Sequence, residues 1–188
     1  IPLIDKKPAI NSWKEYQQRK PTEDELRTWF EGPNITGLAV ITGKISNLVV
    51  VDVEEHGSLD GLPETVTSKT GNNGYHYYYK YPIAGIRNSA RKIRELTDIR
   101  GDGGYAVLPP SKHPSGQFYS WLKSPFEVGV AELPEWILKE SKTSSSNELA
   151  EIVTGVGEGK RNESATRIIG KLLNSFPQKD WVPIGWPL

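Results

Sequence analysis

The stretch Leu48-Val49-Val50-Val51-Asp52-Val53-Glu54 constrains this chain most. Consecutive β-branched residues favour a strand, and the valines mark it as buried. Side chains two apart on a strand point the same way, so Asp52 and Glu54 project together from one face. Neighbouring carboxylates at the end of a buried strand repel each other and lose hydration unless a cation lies between them. The same pattern also suits a strand end emerging into water, where both acids are simply hydrated. The stretch alone does not choose.

Composition narrows the choice. The 188 residues suffice for one good core and a small appendage. With no cysteine there is neither a disulfide nor a thiolate zinc site, and His56, His76 and His113 are the only histidines. No zinc is expected; an essential metal would be magnesium or manganese on carboxylates. No apolar run approaches the ~20 residues of a membrane span, and the N-terminus lacks the order of a signal peptide, so a cytoplasmic protein without membrane contact is expected. Lys+Arg and Asp+Glu both total 23, unlike a strongly basic nucleic-acid binder. The charge is uneven, however. Arg87, Arg91, Lys92, Arg94 and Arg100 lie close together, enough for a local positive lining.

Along the chain, an extended entry and a short helix precede Thr22-Glu23-Asp24-Glu25, a helix start capped by Thr22. Leu26, Trp29 and Phe30 give that helix its apolar face, and Gly32-Pro33 ends it. Strands are expected over 37–43, 48–54, 75–81, near 97–100, over 105–108 and over 118–122, with helical pattern from about Leu133. Strands first and helices last give an α+β body over 1–140, a polar linker over 141–148 and a helical C-terminal segment over 149–188.

Two further motifs could carry chemistry. Thr70-Gly71-Asn72-Asn73-Gly74 is a glycine-containing turn of the kind that brings backbone N–H groups to a phosphate, and His76 follows on a strand of aromatics. Asp98 opens Asp-Ile-Arg-Gly-Asp-Gly-Gly and would add a third carboxylate from an adjacent strand, although an ordinary turn acid fits as well. By contrast, Thr154-Gly-Val-Gly-Glu-Gly-Lys-Arg161 is not a P-loop: Thr154 and Arg161 stand where glycine and Ser or Thr are required.

Taken in order, acid-x-acid, Gly-rich-His, Asp98-Ile-Arg-Gly-Asp-Gly-Gly-Tyr105 and Leu108-Pro-Pro-Ser-Lys-His113 resemble the bifunctional primase–polymerase family of the archaeo-eukaryotic primase superfamily. The resemblance spans about Ile1 to Leu122 and implies a primase-like palm, an RRM-like mixed or antiparallel sheet flanked by helices. It implies a DNA primase/polymerase of a plasmid, phage or mobile-element replication protein, using two Mg2+ or Mn2+ ions. Asp52, Glu54 and Asp98 would be the catalytic metal ligands, and His76, Arg100, Ser111 and His113 would line the nucleotide pocket. Asn73 departs from the family's usual glycine. The implied partners are single-stranded DNA template and primer, dNTPs or NTPs, and a helicase region beyond residue 188 of a parent protein. Gly159-Lys-Arg-Asn162 and the helix after it resemble a segment tied to primer initiation, or form a packed helix. Two other readings remain: a metal-dependent nuclease on the same carboxylates, or a non-catalytic single-strand-binding module stacking bases on Tyr77, Tyr79, Tyr81 or Trp121.

Overall fold

The computed structural model of the protein describes residues 1–142, apart from the side chains of 91 and 92. The expectations for 143–188, including most of the linker, the 154–161 loop and the helix over 162–176, lie outside the described residues. Those described hold one compact unit, Ile1–Ser141.

In chain order the strands are β1 (Pro2–Ile4), β2 (Lys7–Pro8), β3 (Gly37–Ile41), β4 (Leu48–Val53), β5 (Thr67–Lys69), β6 (Tyr75–Lys80), β7 (Ser89–Arg94), β8 (Thr97–Arg100), β9 (Tyr105–Leu108), β10 (Ser120–Lys123) and β11 (Ala131–Glu132). Helix α1 spans Glu23–Glu31, after a 3-10 turn at Lys14–Gln17. A second helix, α2, starts at 135 and includes Ser141 and Lys142. The architecture is mixed α and β, with antiparallel sheets and few helices.

Helix α1 begins where its sequence dictates. Thr22 Oγ1 accepts from Glu25 N, and Glu25 Oε2 accepts from Thr22 N, closing a capping box. Its apolar residues are less covered than the pattern suggests: Leu26 and Phe30 are exposed, while Trp29 packs edge-on against Tyr16.

The strands form two sheets. One runs β2-β1-β3-β9, the other β10-β5-β6-β4-β8-β7, with β11 alongside β6 in parallel. Strand β4 lies at the centre of the larger sheet, and its alternation divides the core. Val49, Val51 and Val53 face one way and pack with Tyr79, Ile99, Leu133 and Ile137, so α2 covers this face. Val50 faces the other way and packs with Val66, Tyr78 and Ala106, bringing in β9 of the smaller sheet. Asp52 shares that second face, beyond the edge of the apolar contact between the sheets.

The aromatic strand β6 corrects one expectation. Tyr77, Tyr79 and Tyr81 do share a face, but it is the core face: Tyr79 is 0% exposed, and the other two pack against the same cluster. Tyr79 Oη donates to Pro63 O at 2.9 Å, and Tyr81 Oη donates to the Asp102 carboxylate. Trp121 packs against Tyr78. Tyr79 is thus committed to the fold, and Tyr77, Tyr81 and Trp121 are partly buried against the core rather than presented as an open row. Among the described residues no helix is long and apolar enough to cross a membrane.

Candidate active site

Strand pairing sets one row of side chains across the larger sheet. Asp52 of β4 stands directly opposite His76 of β6 on one side and Asp98 of β8 on the other, and Ser68 of β5 extends the row past His76. Two carboxylates facing each other on adjacent strands repel. Arg100, two residues after Asp98 and therefore on the same face, supplies the opposing charge. Its Nη2 donates to Asp52 Oδ2 at 2.9 Å and to Asp98 Oδ2 at 2.9 Å.

His76 is 4% exposed, and its orientation is fixed by the second sheet. Its Nδ1 lies 3.1 Å from Val107 O on β9. A carbonyl oxygen only accepts, so Nδ1 carries the proton of that bond. The other ring nitrogen, Nε2, faces Asp52 Oδ1 at 3.4 Å. Burial pushes the Asp52 carboxyl up, but the His76 contact and then the Arg100 guanidinium outweigh it and hold the group at about 2. Asp52 is therefore ionised throughout the neutral range.

This row borders a cavity of about 460 Å³. Asp52, Glu54, His76, Arg100 and His113 all line it. Glu54 follows the end of β4, where its N–H is tied to Leu96 O at 2.8 Å. Asp98 is not among the residues lining the cavity; its side chain is 14% exposed and joined to Arg100. Among the described residues no three His, Asp or Glu side chains converge on a common point. The donors nonetheless fit a hard divalent cation in kind, and the guanidinium between Asp52 and Asp98 marks a position where positive charge is accepted.

The remaining wall combines His113, expected there, with Lys6, Trp13 and Tyr119, which sequence reasoning left unassigned. The hairpin joining β1 to β2 turns through Asp5 and Lys6, at φ 47° and 69°, the positive values that a two-residue hairpin loop requires. Lys6 Nζ thereby comes within 3.4 Å of His113 Nε2. His113 in turn is held by Ser115, whose N–H donates to Nδ1 at 3.0 Å. Burial, and then the Lys6 ammonium, push the His113 imidazole down. Tyr119 bridges the two histidines, its ring centroid 5.7 Å from that of His76 and 6.1 Å from that of His113. Burial, followed by the Asp52 charge, pushes its phenol up to about 12, so it remains protonated. Trp13, edge-on to Tyr105, completes this side. Strands of two or three residues leave no periodicity to read, although the positively charged Asp-Lys-Lys turn was a usable signal for Lys6.

The turn over 70–74 reaches the site in an unexpected way. Thr70 Oγ1 accepts from Gly74 N at 3.0 Å and from Asn72 N at 3.4 Å, so these amides bond within the turn. Its glycines are explained by crowding. A Cβ at Gly71 would stand 2.2 Å from His113 Cβ, and one at Gly74 2.5 Å from Val53 O. Glycine at 71 lets the 111–117 loop close against the 70–74 turn.

Ser111 requires a correction. It is 2% exposed and does not line the cavity. Its hydroxyl accepts from Leu38 N at 2.8 Å and lies 3.1 Å from Leu38 O and 2.5 Å from Leu108 O. With one proton and two carbonyls competing for it, the group is committed to joining β3 to the end of β9. Of the basic cluster, Arg94 stacks on Trp136 at 4.4 Å and donates to Asp60 O at 2.9 Å, whereas Arg100 borders the cavity.

No curated protein matches this chain. Residues 1–136 match the family model for the N-terminal domain of bifunctional DNA primase/polymerase, and the chain belongs to that family.

Proposed function

We propose that this chain is a template-directed nucleotidyltransferase of a plasmid, phage or mobile-element replication protein, built on a primase-like palm. Family membership supports primase/polymerase activity with DNA and nucleotides as substrates. The observation that carries the reading to particular residues is the row His76–Asp52–Asp98, with Arg100, beside a cavity large enough for a nucleotide.

In this reading Asp52, Asp98 and Glu54 hold Mg2+ or Mn2+. The bound ions would activate the primer hydroxyl and neutralise charge developing on the phosphates. His76, locked by Val107 O and with Nε2 turned to Asp52 Oδ1, lines the same cavity and would stand beside the phosphates there. Arg100, Lys6 and His113 add positive charge or donors around the same space, suiting a triphosphate. Little covalent work falls to the protein; its contribution is positioning and electrostatics.

A nuclease on the same carboxylates would require its histidine beside an attacking water instead of a triphosphate. Nucleotide binding without DNA separates the two. A fluorescent dNTP analogue with Mn2+ should bind the wild type, and His76→Ala should weaken it about tenfold, the worth of one charge-assisted hydrogen bond. An absence of binding to the wild type, alongside cleavage of DNA, would favour the nuclease.

A further inference from the structure

Arg100 occupies an unusual station for a residue assigned to nucleotide contact. One nitrogen, Nη2, stands 2.9 Å from Asp52 Oδ2 and 2.9 Å from Asp98 Oδ2. The Arg100 side chain is 30% exposed and lines the cavity together with Asp52, so both face the space a ligand would enter. The pairing register holds the backbones of Asp52 and Asp98 opposite each other in the β4–β8 ladder. Two carboxylates so placed favour a positive charge beside them. A divalent cation would need the same oxygens.

We propose that Arg100 is an internal counter-cation that competes with divalent metal for Asp52 and Asp98. Free metal binds weakly while the guanidinium bridges the pair. The triphosphate of an incoming nucleotide offers Arg100 an alternative anionic partner, and its movement toward the phosphates withdraws the guanidinium from both oxygens and lets metal compete for them. Metal and nucleotide are then coupled, each improving the other's affinity by the same factor. The inference rests on the metal-dependent reading of the site given above.

The test is Mn2+ titration without nucleotide or DNA, following the electron paramagnetic resonance signal of free Mn2+. Wild type, Arg100→Gln and Asp52→Asn are compared, with circular dichroism to verify folding. Arg100→Gln should bind Mn2+ about tenfold more tightly than wild type, and Asp52→Asn should lose most binding. If Asp52→Asn loses binding while Arg100→Gln matches or falls below wild type, the competition is wrong and the metal site stands. If all three bind Mn2+ alike, the metal site itself is wrong, and the competition with it. Should Arg100→Gln fail to fold, Arg100→Met decides. Its uncharged side chain cannot bridge the two carboxylates, so it should bind Mn2+ more tightly than wild type; equal or weaker binding would overturn the proposal.

Discussion

Replacing Asp52 with asparagine removes the central charge of the row while keeping its shape. The carboxyl is held at about 2 against an ordinary 3.8, because contact with His76 and Arg100 outweighs its burial. At ~1.36 kcal/mol per pKa unit, that depression corresponds to about 2 kcal/mol of folding stability at neutral pH. A folded-state pKa below the unfolded one stabilises above the unfolded value and loses that contribution as pH falls through the folded value. The window is therefore roughly pH 4 to 2, with about half of the contribution gone by pH 3. Urea unfolding of wild type and Asp52→Asn at pH 7, 4 and 3 is the assay. The variant should be about 2 kcal/mol less stable at pH 7, and the gap should narrow to roughly half by pH 3. Equal stabilities at pH 7, or a gap that does not change with pH, would refute the claim that His76 and Arg100 outweigh burial.

Other substitutions test the remaining assignments. Ser111→Ala deprives the part-buried Leu38 N–H of its side-chain acceptor and should cost about 1–3 kcal/mol in urea unfolding, with dNTP affinity changed less than about twofold. A large loss of affinity in a stable variant would return Ser111 to the nucleotide pocket. Gly71→Ala drives a methyl into His113 and should weaken nucleotide binding together with a loss of about 1–3 kcal/mol; unchanged values would contradict the close approach of the two loops. Tyr77→Ala should lower the melting temperature without selectively weakening single-stranded DNA binding, because its ring belongs to the core face. A selective loss of DNA affinity would restore the stacking role.

The part of the fold readable in advance was the part governed by short-range rules. Valine alternation placed β4, and the Thr22–Glu25 box placed the start of α1, because both signals lie within a few residues of their effect. The shared face of Asp52 and Glu54 follows from the same period of two. What could not be read is set by pairing between distant segments. That Asp98 stands opposite Asp52, and that Arg100 bridges them, depends on the register of β4 with β8. Lys6 and Trp13 join the site because a hairpin at the chain's start folds back, across more than a hundred residues, toward His113. Ser111 illustrates the opposite difficulty. A polar residue within a family motif suggests ligand contact, but here its hydroxyl meets the backbone of β3 and β9. The tyrosines of β6 misled in the same way, since alternation identifies a shared face without saying whether water or α2 covers it.

Template-directed primer extension tests the central claim most directly. A labelled primer on a single-stranded DNA template would be incubated with dNTPs, Mg2+ or Mn2+, and either wild type or Asp52→Ala/Asp98→Ala. The account predicts that wild type lengthens the primer in template order and that the double variant, verified as folded, does not. A folded wild type that binds DNA yet never extends the primer, or extension that survives loss of both carboxylates, would contradict it.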